Sequence, residues 1–225
     1  MKEAMTMCGR FTLTASPEAL QEEFGILFPE IKANYNIAPS QDVLSIVGHK
    51  EGLKAGFLKW GLVPSWAKDK KIGYKMINAR AETIDEKPAF RQLLKRRRCL
   101  VVADSFYEWK REKGQKRPYR ITVGGGDLFT FAGLWDRWRM NGEEIVSCTI
   151  ITTEPNQMMS ELHDRMPVLL EEGNREAWVD QSIDDKDLLK SILQPYDSEK
   201  MSAYEVSTLV NNPRNNGEEL IAALL

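Results

Sequence analysis

Hydrophobic and polar positions along the chain predict one early helix, a strand-rich centre and a more helical last third. Ser16-Pro17-Glu18 opens a helix, because serine can accept a backbone N–H at the N-cap and proline suits the first helical position. Leu20 and Phe24 follow on one face, and the helix ends by Gly25. Residues 34–41 cannot be helical through Pro39 and lead into Val43, Leu44, Ile46 and Val47, which predict a strand. Residues 53–60 and 75–81 also read as extended. Phe90, Leu93 and Leu94 fall at helical spacing, and Lys95-Arg96-Arg97-Arg98 closes that helix where cations suit the C-terminal end of the dipole.

From Cys99 the pattern becomes a series of extended runs, at 99–103, 106–109, 119–123, 128–132 and 145–153, with turns at Lys113-Gly114 and Gly124-Gly125-Gly126. Residues 156–163, 174–179 and 184–193 predict helices, the last opened by acidic residues. With no internal repeat, low-complexity tract or linker, strands and helices are expected to share one core. The expected fold is a single α+β domain over 7–225, with a barrel-like, mostly antiparallel strand core flanked by helices.

A length of 225 residues suits one such domain, and 42% hydrophobic with 28% charged residues excludes a disordered or fibrous chain. The longest apolar run, near Leu100, falls far short of the ~20 residues of a membrane span, and Met1-Lys2-Glu3-Ala4 begins no signal peptide, so a cytoplasmic location without a membrane partner is expected. Three cysteines, Cys8, Cys99 and Cys148, cannot all pair and form no CxxC, so neither a disulfide nor a metal is expected, and no cofactor is. The net charge of −2 conceals an asymmetry: residues 54–120 carry 19 basic and 7 acidic groups, residues 121–225 carry 8 and 19. Such a split suits a protein that meets a polyanion, or equally a basic face paired with the acidic third.

Several polar residues sit where folding alone would not put them. Cys8, beside Gly9 near the start, is unlike Cys99 and Cys148, whose apolar β-forming neighbours mark them as buried fillers. Glu108 interrupts the aromatic run Phe106-Tyr107-Glu108-Trp109, where an inward carboxylate needs a partner and an outward one means nothing. His163 follows a short amphipathic segment and is suited to proton transfer, although a lone histidine is more often structural; His49 belongs to solvent. In Asn78-Ala79-Arg80-Ala81-Glu82 the amide and guanidinium stand at i and i+2, on one face of a strand. Trp60 and Trp66 bracket a loop in the basic segment, where tryptophan is either core or a surface on which a base can stack.

Taken together, Met7-Cys8-Gly9-Arg10-Phe11, Tyr35-Asn36-Ile37-Ala38-Pro39, Trp60-Gly61-Leu62-Val63-Pro64-Ser65-Trp66, Asn78-Ala79-Arg80-Ala81-Glu82, Phe106-Tyr107-Glu108-Trp109 and His163-Asp164-Arg165-Met166-Pro167 closely resemble the SOS response-associated peptidase family, also called abasic site processing proteins. The motifs occur in the family's order over about residues 7–180. The resemblance implies a protein that recognises abasic sites in single-stranded DNA and crosslinks to them through an N-terminal cysteine freed when the initiator methionine is removed; a monomer is expected. It implies Cys8 as the nucleophile with Asn78, Glu108 and His163 as companions, and Arg10, Pro39, Trp66 and Arg80 as DNA-binding positions.

The chemistry is coherent. An abasic deoxyribose opens to an aldehyde, and an amine with an adjacent thiol can form an imine and then a five-membered thiazolidine. Only an N-terminal cysteine offers both groups, and its α-amine, with an ordinary pKa of about 7.7–8.0, is partly neutral where lysine is not. Residues 1–6 depart from the family pattern. They are either a segment not native to the protein, with Met7 as working initiator, or are removed by self-cleavage before Cys8; an unprocessed chain is expected not to crosslink. Two competing functions are a cysteine peptidase acting on other peptides and a non-covalent single-strand binder.

Overall fold

Alternating apolar positions drive the centre of the chain into long hairpins. The computed structural model describes residues 9–112 and 114–224. Its strands are β1 (Phe11–Leu13), β2 (Asn34–Ile37), β3 (Asp42–His49), β4 (Gly52–Trp60), β5 (Asn78–Arg80), β6 (Arg98–Ala103), β7 (Ser105–Glu112), β8 (Gln115–Val123), β9 (Phe129–Met140), β10 (Glu143–Thr153), β11 (Met166–Pro167), β12 (Leu169–Leu170) and β13 (Met201–Glu205). The α-helices are α1 (Pro17–Phe24), α2 (Arg91–Arg96), α3 (Gln157–Ser160), α4 (Glu172–Val179) and α5 (Lys186–Ser191). No described helix is long and apolar enough to cross a membrane.

Strands β4, β3, β6, β9 and β10 pair in that order, and β10 closes back onto β4, which makes a five-stranded barrel. The closure is parallel, Ser147 facing Lys59 and Cys148 facing Trp60, while the other barrel pairings are antiparallel. Beyond β4, the short β5 continues in parallel along β10, with Asn78 facing Ile150. A second, antiparallel sheet, ordered β13-β8-β7-β1-β2, packs on the barrel. Aromatic rings fill the layer between them: Phe11 lies 5.2 Å from Trp60 and 5.5 Å from Phe131, and Phe106 lies 6.0 Å from Phe131. The expected single α+β domain with a barrel-like core is what forms.

The first helix follows its sequence signals. Ser16 Oγ accepts from Ala19 N at 3.2 Å, and Gly25 ends the helix at φ +64°, its N–H bonded to Gln21 O. Cys99 and Cys148 are both fully buried, and burial pushes both thiols above their ordinary range, which leaves them unreactive fillers.

Three expectations need correction. Residues 75–81 are not one extended run: Lys70–Lys75 is a 3-10 helix and only Asn78–Arg80 pairs, along the stretch of β10 that follows its pairing with β4. The helix expected over 156–163 shortens to α3. Arg98 closes α2 from the following strand and not as part of the helix. It opens β6 as a buried side chain whose guanidinium donates to Leu94 O (2.7 Å), Lys95 O (2.6 Å), Ile183 O (3.0 Å), Trp178 O and Asp180 O. One cation thereby satisfies the carbonyl ends of α2 and α4, and burial lowers its pKa to about 10.

Candidate functional site

Glu108 lies on β7, where alternation puts it on the same face as Phe106, the face that meets the barrel. It is 2% exposed, so the carboxylate is inward. Neighbouring β1 pairs Phe11 with Phe106, and Tyr107 N donates to Arg10 O at 2.9 Å. Carried one position further, this register sets Gly9 level with Glu108. Gly9 is the residue that follows Cys8; Cys8 itself lies outside the described residues.

Arg10 is tied inward. Its Nη1 donates to Asn36 Oδ1 and to Val210 O, both at 2.7 Å, its guanidinium lies 5.7 Å from the Trp109 ring, and burial lowers its pKa. Asn36, 1% exposed on β2, turns its Nδ2 to Asn215 O (2.9 Å), Asn212 O (3.0 Å) and Val210 O (3.3 Å). Trp109 Nε1 donates to Asn211 Oδ1 at 2.7 Å, and Tyr107, Val206, Val210 and Leu220 form a small core. The C-terminal segment 207–221 is thus a strap across β2, β1 and β7. Sequence reasoning left it without a role, and its polar asparagines carried no periodic signal.

Trp60 connects this sheet to the next part of the site. Fully buried against Phe11, its Nε1 donates to Ile77 O at 2.9 Å, directly before Asn78. Its own backbone brackets the Pro39-Ser40 turn, with Ser40 N donating to Trp60 O at 2.8 Å and Trp60 N to Gln41 O at 2.9 Å. Pro39 is accordingly held in a fixed, partly buried turn. On β5, Ala79 is buried while Asn78 is half-buried and Arg80 exposed, so the amide and the guanidinium do share a face.

His163 is largely buried just after α3, at 13% side-chain exposure. Its Nδ1 lies 3.1 Å from Arg165 N, 3.2 Å from Arg165 O and 3.2 Å from Asp164 Oδ1. It therefore has an acceptor when it carries a proton and a donor when it does not, and with Nδ1 protonated Nε2 is the nitrogen that can give or take a proton. Arg165 makes a bidentate pair with Glu82, at 2.6 and 2.9 Å, and donates to Thr152 O at 2.8 Å. This joins the Asn78–Arg80 segment to the histidine loop, since β11 leaves that loop paired to the same end of β10. Neither Glu82 nor Arg165 stood among the expected site residues, although both lie inside the motifs.

Trp66 stands apart from Trp60: it is 61% exposed. Its loop is held by Asp136, a buried residue of β9 whose Oδ2 accepts from Ser65 N at 2.7 Å and whose Oδ1 accepts from Arg137 N at 2.8 Å. Distance along the chain hid this positioning residue. The basic segment divides as well: Arg117 pairs with Glu205 and Lys70 with Glu143, while Arg98 is internal. His49 is an exposed hairpin residue beside Glu51, as expected.

Glu108 thus lies on β7 beside the start of β1, Asn78 on β5 directly after the residue that Trp60 bonds, and His163 in the loop that β11 ties to the end of β10. The family model described as SOS response associated peptidase (SRAP) matches residues 7–213. The chain belongs to that family. Among SRAP relatives, the chain is 51% identical over 221 residues to the abasic site processing protein YoqW of Bacillus subtilis, covering 96% of this chain and 99% of that one. It is 32% identical to the abasic site processing protein HMCES of Xenopus tropicalis over 97% of this chain and 79% of that one. A solved structure of a protein from Bacteroides thetaiotaomicron superposes with a TM-score of 0.88 at 28% identity, covering 97% of this chain and all, 100%, of that one.

Proposed function

We propose that this SRAP protein captures abasic sites in single-stranded DNA through the amine and thiol of Cys8, once that residue is N-terminal, and so shields the lesion. The observation that carries the reading is a buried carboxylate, Glu108, level with the residue that follows Cys8. The names of the relatives and the shared motifs agree with it.

In this scheme the deoxyribose ring opens to its aldehyde, helped by proton transfer from His163 Nε2 to the ring oxygen. The neutral α-amine of Cys8 adds to the aldehyde carbon and water leaves, which gives an imine. The thiol sulfur then adds to the imine carbon while the nitrogen takes up the proton, closing the thiazolidine. Glu108 accepts the proton that frees the amine and assists cleavage of the Met7–Cys8 peptide bond where the preceding residue has not been removed as an initiator. Asn78 holds the amine or the sugar through its amide. Trp66, Arg80, Pro39 and Arg10 shape the DNA surface, the first two from exposed positions and the last from beneath it. The protein acts as a monomer in the cytoplasm.

The test is a rate series with single-stranded DNA carrying one abasic site and protein that begins at Cys8, resolved on denaturing gels. Cys8→Ala abolishes the adduct while sparing reversible binding, and Glu108→Gln and His163→Ala each slow its formation, by about 10²-fold or more for a lost acid–base group. A Cys8→Ala protein that crosslinks at the wild-type rate through the same bond overturns the proposal.

A further inference from the structure

One exposed aromatic has no part in the scheme above. Tyr74 is 71% exposed and sits in the 3-10 helix Lys70–Lys75, in the same loop as Trp66. That loop is rigidly built. Val63, Ala67 and Trp138 are buried together, with Ile72 and Ile145 packed on them, and Trp138 Nε1 donates to Ala67 O at 2.7 Å. The two arms are clipped where Leu62 N donates to Met76 O at 3.0 Å. They approach so closely that a Cβ on Gly73 would meet Gly61 O at 2.8 Å. Asp69 caps the short helix through Lys71 N at 2.9 Å.

Trp66 and Tyr74 both stand in water on this one fixed loop, and two exposed aromatics on a rigid frame offer planar faces to a partner. Apart from Asp69, which is taken up as the helix cap, the charges beside Tyr74 are positive. Lys68, Lys71 and Lys75 form no ion pair among the described residues, in contrast to Lys70, which binds Glu143 at 2.8 Å. Lys75 is three residues before Asn78, where β5 begins. Cations flanking a ring suit a partner that is planar and anionic at once.

We propose that Tyr74, with Lys71 and Lys75, is a second base-stacking station for single-stranded DNA, separate from Trp66 and indifferent to sequence. The inference rests on the DNA reading above and adds a binding residue to it. Every base has a π-face, and phosphates on either side of the stacked base would meet the two lysines.

Anisotropy titrations with a fluorescein-labelled, undamaged single strand of about 15 nucleotides test it without any covalent step. Tyr74→Ala should raise Kd by about 5- to 100-fold, Tyr74→Phe should restore most of the affinity, and Leu27→Ala, at another exposed apolar residue, should change nothing. Lys71→Gln with Lys75→Gln should lower the slope of log K against log salt by about 0.7 per lysine. Should Trp66→Ala weaken binding while Tyr74→Ala stays within twofold of wild type, the DNA reading stands and this station is refuted. Should the wild-type protein fail to bind single strands at all, both fall together.

Discussion

Asn36→Ala tests whether the C-terminal strap is a structural part of the site. The side chain is 1% exposed, its Oδ1 accepts from the Arg10 guanidinium at 2.7 Å, and its Nδ2 faces three carbonyls at 2.9, 3.0 and 3.3 Å. An amide has two hydrogens, so two of those carbonyls are served well and the third shares. Each neutral bond is worth about 1 kcal/mol and the charge-assisted one about 1.5–3 kcal/mol, and alanine leaves half-buried partners without a replacement. The expected loss is about 3–5 kcal/mol, which for a domain of this size lowers Tm by roughly 10 °C. Calorimetry reads the total, and amide exchange over 207–216 reads the location, where protection should fall first. A double-mutant cycle with Arg10→Met should show a coupling of at least about 1 kcal/mol. A Tm drop under about 2 °C, or unchanged protection in the strap, would refute the reasoning.

Arg98→Met removes the donors that serve five carbonyls and should cost about 3 kcal/mol or more in urea unfolding; a loss under about 1 kcal/mol would show that water replaces them. Gly73→Ala forces a Cβ to within 2.8 Å of Gly61 O and should lose about 1–3 kcal/mol along with DNA affinity, whereas Gly56→Ala, with nothing within 4 Å, should be neutral or slightly stabilising. Hydrogen bonds from Lys190, then Lys186, hold the Asp85 carboxyl below its ordinary range; burial raises that of Glu82, but the Arg165 pair outweighs it. Both groups therefore contribute stability that is complete above the ordinary carboxylate pKa of about 4 and is lost as pH falls through their lower folded values. Asp85→Asn should flatten that acid limb in a Tm-versus-pH series, and a limb unchanged in slope would contradict it.

What the chain reveals in one dimension is local. Ser16, Pro17 and Gly25 mark α1 because a cap and a left-handed terminus are made by adjacent residues. The hairpins of β3 with β4 and of β7 with β8 are legible because alternating residues must share a face, whereas the run expected at 128–132 continues to Met140 and turns straight into β10. Asn78 and Arg80 come out on one side of β5 for the same reason. The burial of Arg98 is not legible, because a cation after a helix serves carbonyls equally well from outside or inside, and only α4, far along the chain, decides which. Trp60 and Trp66 are alike in sequence, but Trp60 ends a strand that faces Phe11 and Trp66 stands on a loop held by Asp136. The strap could not be read, because its asparagines act through main-chain carbonyls that any residue supplies. β13 was missed as well: Met201–Glu205 is short and becomes a strand only beside β8.

In the proposed reaction the amine and thiol of Cys8 together take up the opened sugar. Intact-mass measurement of the adduct, followed by peptide mapping, tests this most directly. The expected mass is that of protein beginning at Cys8 plus DNA less one water, with the modification confined to the peptide that starts at Cys8. An adduct on a lysine, or on a chain in which Cys8 is still joined to Met7, would contradict it.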